Sequence, residues 1–150
     1  MRIYVDADAC PKVVKEILFR AAERTGISLT IVANKALWVP SSPLIERIVV
    51  GAGLDVADQW ISEHAEPRDL VVTADIPLAA KVIAKGGHAI SPHGEVYDDE
   101  NIQERLSVRD FMAELRSGGV VTGGPSTFSV ANRQAFANAL NRFLSATSRK

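Results

Sequence analysis

The sequence predicts a doubly wound α/β fold in which about five mainly parallel strands are flanked by helices. Two observations favour this fold class. Short apolar runs alternate with segments of helical period as far as residue 90, and the runs are continuously apolar, as in strands buried on both faces. The chain has 150 residues, which suits one domain with one core. We therefore expect residues 1–150 to form a single domain.

The first elements alternate between strand and helix. "RIYVD" (2–6) is a predicted strand, and it leads into a helix over 11–26 whose apolar residues recur at helical spacing. The next predicted elements are a strand in "SLTIVA" (28–33), a short helix in "SSPLIER" (41–47) and a strand in "IVV" (48–50). Helical crossovers of this kind are what parallel strands require.

The alternation continues beyond residue 50 and then gives way to helices. The predicted elements are a helix in "GLDVADQWISEHA" (53–65), a strand in "DLVVT" (69–73), a helix in "ADIPLAAKVIAKGG" (74–87) and a strand in "HAI" (88–90). After a loop in 91–101, helices are expected in "IQERL" (102–106), "SVRDFMAELRSGG" (107–119) and "NRQAFANALNRFL" (132–144). We expect these last helices to pack onto the sheet.

Aspartates follow several of the predicted strands. Asp6 and Asp8 follow the first strand, Asp55 and Asp58 open the helix after the third, and Asp75 follows the fourth. The carboxyl ends of parallel strands meet along one edge, where such sheets bind ligands, so we expect these carboxylates to converge. Bare anions would repel one another there, whereas Mg²⁺ or Mn²⁺ would relieve the repulsion. The pattern therefore indicates a divalent-metal site.

Helix capping is an alternative interpretation of the same residues. Aspartate is a favoured N-cap, and acids in a first turn are stabilised by the helix dipole, which accounts for Asp55, Asp58 or Asp75 taken singly. Asp6 fits this interpretation least, because it ends an apolar strand. Among other residues, Trp38 suits either base stacking or the core. Cys10, beside the acids, suits a packed position better than a metal ligand or nucleophile. "TGGPSTFS" (122–129) suits either a phosphate cradle or a helix cap at Ser129.

Charge and apolar content exclude two classes of protein. With 17 Lys and Arg against 18 Asp and Glu, the net charge of −1 excludes a polybasic protein that coats nucleic acid or an anionic membrane. Nucleic-acid binding should therefore be weak, local and assisted by metal. No apolar run approaches the roughly 18 residues of a membrane span. With one cysteine and no signal-peptide pattern at "MRIYVDADACP", we expect a cytoplasmic protein without membrane partners.

Long motifs carry a resemblance along nearly the whole chain. "VDADACP", "GLDVADQWI", "DLVVTADIPLAAKVIAKG", "RDFM" and "TGGPSTFS…NRQAF" resemble the YaiI/YqxD family of uncharacterised bacterial proteins. That family is similar in turn to the PIN-like nuclease superfamily. This likeness implies five parallel strands in the order 3-2-1-4-5, with an acidic pocket beside strands one and four. Carried over by motif, the pocket acids correspond to Asp6, Asp58 and Asp75, with Asp8 as an additional acid, and Thr73 matches a hydroxyl residue that often precedes the last acid.

The resemblance and the acidic pattern together predict a metal-dependent phosphodiesterase that acts on single-stranded RNA. In this hypothesis Asp6, Asp8, Asp58 and Asp75 are catalytic and hold one or two Mg²⁺ or Mn²⁺ ions, which activate water. Residues expected to orient the substrate are Thr73, Lys12, Lys35, Lys81 and Arg133. Two alternatives stay open: a phosphatase of the haloacid-dehalogenase type, with Asp6 as nucleophile and Asp8 as acid, and a non-catalytic PIN-like binding or regulatory protein.

Overall fold

One sheet organises the described part of the chain, and its order is β3-β2-β1-β4-β5-β6. The computed structural model describes residues 1–8, 10–53, 55–117 and 129–148. The strands are β1 (Arg2–Asp6), β2 (Ser28–Ala33), β3 (Ile45–Val49), β4 (Leu70–Val72), β5 (His88–Ile90) and β6 (Val96–Tyr97). The helices are α1 (Lys12–Thr25), α2 (Val56–His64), α3 (Ile76–Ala84), α4 (Ile102–Ser117) and α5 (Val130–Ser148).

The first five strands are parallel, and the predicted doubly wound α/β fold class is confirmed. Their order, 3-2-1-4-5, is the one expected from the family resemblance. The sixth strand was not predicted: β6 lies within the predicted loop 91–101 and pairs antiparallel with β5. A strand of two residues has too short an alternation of apolar and polar side chains to be recognised.

Three predicted helices differ from the structure. The helix expected over 41–47 is wrong, because the Ser42 hydroxyl accepts a hydrogen bond from the Leu44 N–H at 3.2 Å and turns the chain before Ile45 begins β3. The crossover from β2 to β3 is therefore a loop over 34–44. The two helices expected over 102–119 are one helix, α4, since no glycine or proline interrupts residues 102–117.

Helices cover both faces of the sheet, as a doubly wound fold requires. The core on one face includes Leu18 of α1 and Phe136 and Leu140 of α5, all fully buried. The core on the other face includes Ile61 of α2 and Leu78 of α3. Within the described ranges, no helix is both long enough and apolar enough to cross a bilayer.

Gly94 lets the turn before β6 approach the first turns of α5. Its backbone has φ of 94°, and a Cβ atom placed there would lie 2.6 Å from the Ala135 carbonyl carbon and 2.7 Å from the Phe136 nitrogen. Both atoms are backbone, so neither can move aside cheaply. A side chain at this position would push α5 away from the sheet.

We therefore expect Gly94→Ala to lower the free energy of unfolding by about 2 kcal/mol or more, from backbone strain together with the clash. Gly51→Ala is the matched control, because a Cβ there meets no atom within 4 Å. It should change stability by less than about 0.5 kcal/mol. Urea unfolding checks both variants, and equal midpoints would contradict the close approach of α5.

Candidate metal centre

The acidic centre starts where β1 and β4 end side by side. Val5 is the register partner of Val72, so Asp6 and Thr73 are the next residues on neighbouring strands. The Thr73 hydroxyl donates a hydrogen bond to Asp6 Oδ2 at 3.0 Å and accepts one from the Asp75 N–H at 3.0 Å. Thr73 is fully buried. It therefore fixes Asp6 and the start of α3 relative to each other, and it offers no surface to a substrate.

Asp75 serves as a helix cap and as a member of the acidic centre. One of its oxygens, Oδ1, accepts a hydrogen bond from the Leu78 N–H at 2.9 Å, so it is the N-cap of α3. The same carboxylate lies within hydrogen-bonding reach of Asp58. The capping and metal-site interpretations are thus compatible at this position.

Asp55 and Asp58 bring two more carboxylates from the start of α2. Asp55 occupies the N-cap position with φ of 65°, but its side chain makes no capping hydrogen bond. The capping interpretation is therefore wrong for Asp55. One oxygen from each of Asp55, Asp58 and Asp75 lies within 4.8 Å of the others. Oxygens on opposite sides of one Mg²⁺ ion are about 4 Å apart, so this spacing suits a cation after a small contraction.

Asp58 has the most strongly raised pKa among the acids of this group for which the structure gives a value. Burial, with the neighbouring carboxylates of Asp75 and Asp6, raises its pKa to about 8. The pKa of Asp6 is also raised, mainly by burial, although the hydrogen bond from Thr73 opposes the shift. Burial and the neighbouring carboxylates therefore favour a proton on Asp58 when no cation is bound. A divalent cation would take the place of that proton.

A cavity of about 470 Å³ opens beside these carboxylates, between α2, α3 and α4. Lys81, one of the residues expected to orient a substrate, lines it. Arg109 of α4 lines it too, and the sequence analysis did not select this residue. Arg109 belongs to the "RDFM" motif, but its approach to the acids depends on how α4 packs against α3, which the sequence does not display. The other lining residues are Asp55, Asp58, Gln59, Ser62, Glu63, Asp75, Pro77 and Leu78.

Asp8 is turned toward a different partner. Its two carboxylate oxygens accept hydrogen bonds from the Asn34 N–H at 3.0 and 3.1 Å, which ties the end of β1 to the loop after β2. Asp8 is exposed, and its charge contributes to the raised pKa of Asp6. It is therefore a neighbour of the acidic centre, which consists of Asp6, Asp55, Asp58 and Asp75.

The remaining predicted contact residues are dispersed. Lys12 begins α1 and Lys35 follows β2, so both exposed side chains belong to the same edge of the sheet as the acids. Arg133 lies instead in a groove between α1 and α5, on the other face. Burial raises the pKa of Cys10 to about 12, in agreement with a packed thiol.

The segment considered as a phosphate cradle falls almost entirely outside the described residues. Residues 122–128 are not described, whereas Ser129 is. The Ser129 hydroxyl accepts a hydrogen bond from the Asn132 N–H at 3.2 Å, and the Asn132 side-chain oxygen accepts one from the Ser129 N–H at 3.0 Å. Ser129 is therefore the N-cap of α5, in a reciprocal arrangement like a capping box.

Comparisons with known proteins identify relatives over nearly the full length of the chain. A family model described as "Uncharacterized BCR, YaiI/YqxD family" matches residues 4–146. A UPF0178 protein of Geobacter metallireducens is 59% identical over 144 residues, which are 96% of this chain and 93% of the relative. A UPF0178 protein of Syntrophotalea carbinolica is 59% identical over 144 residues, 96% of this chain and 97% of the relative. No solved structure matches the chain significantly.

We expect the metal-free protein to lose stability as pH rises from about 4 to about 8. The pKa of Asp58 is higher in the folded state than in the unfolded chain, so the folded state binds the proton more tightly and protonation stabilises it. Asp58→Asn should flatten this pH dependence, because it removes the titrating group. Melting temperatures measured in EDTA across this range check the expectation.

Asp110→Asn is the matched control for this measurement. Asp110 is an exposed acid on α4, with 71% of its side chain accessible, and its replacement should leave the slope of melting temperature against pH unchanged. Identical slopes in the wild type and in Asp58→Asn would contradict the proton on Asp58.

Proposed function

We propose that this chain, which belongs to the YaiI/YqxD family, is a metal-dependent phosphodiesterase that cleaves RNA. The observation that carries the proposal is the meeting of Asp55, Asp58 and Asp75, whose oxygens lie within 4.8 Å of one another in the lining of one open cavity, with Asp6 next to Asp58. A structural cap needs only one carboxylate, and like charges brought together lower stability unless a cation or proton offsets them. A functional requirement for a cation accounts for an arrangement that folding alone does not need.

The donor set fits a hard divalent cation. Carboxylate oxygens are the ligands that Mg²⁺ and Mn²⁺ prefer, and in the described residues no histidine or cysteine joins the group of metal-ligating side chains. Asp55, Asp58 and Asp75 would hold the ion, and Asp6 would complete the site. When bound, the ion would activate a water and neutralise charge on the phosphate.

The side chains around the cavity divide the remaining tasks. Thr73 positions Asp6 through its hydroxyl, so its role is orientation of a ligand and not contact with the substrate. Lys81 and Arg109 add two cations to a lining that contains four acidic residues. They are placed to contact phosphate oxygens next to the metal, because guanidinium and ammonium groups stabilise the charge that develops during phosphoryl transfer.

The choice of RNA comes from the PIN-like resemblance, and the strand order 3-2-1-4-5 supports it. A cytoplasmic location belongs to the same proposal. The haloacid-dehalogenase alternative is less well supported, because it needs Asp8 beside Asp6 at the substrate. The Asp8 carboxylate is instead occupied by the Asn34 N–H.

Bound metal should reverse the effect of a substitution in the acidic centre on the melting temperature. We expect Asp58→Asn to raise the melting temperature in EDTA at neutral pH, because the asparagine amide is neutral without the proton that Asp58 takes up on folding. With Mg²⁺ or Mn²⁺ the wild type should gain stability by mass action, and the variant should lose most of that gain. Thermal melts of metal-stripped protein with and without added metal check this. Equal responses of the variant and wild type to metal would contradict a site that includes Asp58.

Cleavage of labelled single-stranded RNA by metal-stripped protein tests the activity itself. We expect cleavage only after Mg²⁺ or Mn²⁺ is restored, and a loss of about a hundredfold or more in Asp58→Asn and in Asp75→Asn. Asp99→Asn, at an exposed acid in the turn before α4, is the control for this assay and should retain full activity. Metal binding without cleavage of RNA would favour the non-catalytic alternative, whereas absence of metal binding would overturn the proposal.

A further inference from the structure

We propose that a second surface, on the opposite face of the sheet from the acidic cavity, binds single-stranded nucleic acid. We call it the α1 surface and define it by Trp38, Arg20, Arg24 and Arg133. Arg20 and Arg24 belong to α1, and Arg133 belongs to α5, which packs on the same face of the sheet as α1. The inference extends the proposed function, because it assigns a place where the same class of substrate is held, but its test does not depend on cleavage.

Trp38 is the apolar part of this surface. It is 74% exposed, although its neighbours Leu37 and Val39 pack against the core and the Arg47 guanidinium donates a hydrogen bond to the Leu37 carbonyl at 3.0 Å. The loop is thus anchored on both sides of an indole that stays in solvent. Its described ring contact is an edge contact with Phe19, at 6.1 Å between centroids and 78° between planes.

An exposed and anchored indole suits stacking. Burial of Trp38 does not stabilise this domain, since most of the ring remains in water. Unpaired bases stack on aromatic side chains with little dependence on sequence, whereas bases in a duplex are already stacked on one another. The geometry of Trp38 therefore favours a single strand as the ligand.

Three arginines provide the positive charge that the phosphates of a single strand would require. Arg20 and Arg24 lie one helical turn apart and line a shallow cavity of about 510 Å³ with Phe19, Glu23 and Pro40. The same two arginines also line a groove of about 220 Å³ between α1 and α5, where Arg133 faces them. Glu23 is the acid beside the shallow cavity, and the groove has no acidic residue in its described lining.

The three arginines are available for an anion. Arg24 donates to the Asn141 side-chain oxygen at 2.9 Å, and none of the three forms an ion pair in the part of the chain that the structure describes. Guanidinium groups bind phosphate in a bidentate manner. In a chain with net charge −1, three unpaired arginines around one groove are a local concentration of positive charge. Phosphates that follow a base stacked on Trp38 complement this charge.

Intrinsic fluorescence reports directly on this surface. Of the two tryptophans, Trp60 is packed against His64, with 3.8 Å between ring centroids, whereas Trp38 faces solvent. We expect an oligouridylate to quench the fluorescence of the full chain in EDTA, where the proposed cleavage cannot occur. The quenching should disappear in Trp38→Phe, while Trp38→Ala should weaken binding about tenfold.

Charge variants test the arginines separately. Arg20→Ala, Arg24→Ala and Arg133→Ala should each weaken binding, and the wild-type slope of log affinity against log salt should be about −2, as three phosphate contacts on a single strand imply. Arg142→Ala is the matched control, because Arg142 is exposed on α5 about two and a half turns from Arg133 and so projects to the other side of that helix. It should leave affinity and slope unchanged.

Three results would overturn the inference. These are absence of quenching in wild-type protein, equal binding of duplex and single strand, and equal effects of Arg142→Ala and Arg133→Ala. Concentration-dependent self-association that Trp38→Ala abolishes, without quenching by the oligonucleotide, would assign the surface to protein contacts instead. Binding in EDTA that survives Asp58→Asn would support the α1 surface even if no cleavage is found.

Discussion

The parallel pairing of β1 with β4 is the constraint on which the rest of the molecule depends. It places the ends of two central strands side by side, and the Thr73 hydroxyl then joins Asp6 to the backbone of Asp75. A slip of one residue in this register would send the side chains that follow both strands to the wrong faces. The short apolar strands at the centre of the sheet therefore also determine the geometry of the carboxylates.

Much of the fold could be predicted because parallel strands are buried on both faces. β1, β2, β4 and β5 are short apolar runs, and their positions follow from the sequence. β3 was placed only in part, at 48–50, since it lies at the edge of the sheet and Ile45 alone among its five residues is buried. Ser42 and Pro43 resemble a helix start, and pairing with β2 extends the strand predicted at 48–50 back to Ile45.

The candidate site could be predicted as far as it depends on strand ends. Asp6 and Asp75 follow neighbouring strands, so topology alone brings them together. The sequence did not show that Asp55 joins the acidic centre whereas Asp8 bonds to a loop, because both outcomes depend on the backbone conformation of loops. Asp8 is drawn to the Asn34 N–H, and the left-handed backbone of Asp55 prevents it from capping α2. Arg109 could not be predicted either, because the packing of α4 against α3 places it at the cavity.

The shapes of the two sheet edges bear on how the protein behaves at high concentration. An open edge presents unpaired backbone groups, and another chain can add a strand to them. At one edge β6 offers only two residues, which is too short a template for stable intermolecular pairing. At the other edge β3 carries Glu46 and Arg47, whose charges make an incoming apolar strand costly to accommodate. The fold thus carries its own protection against aggregation at both ends of the sheet, independent of whatever its acidic centre binds.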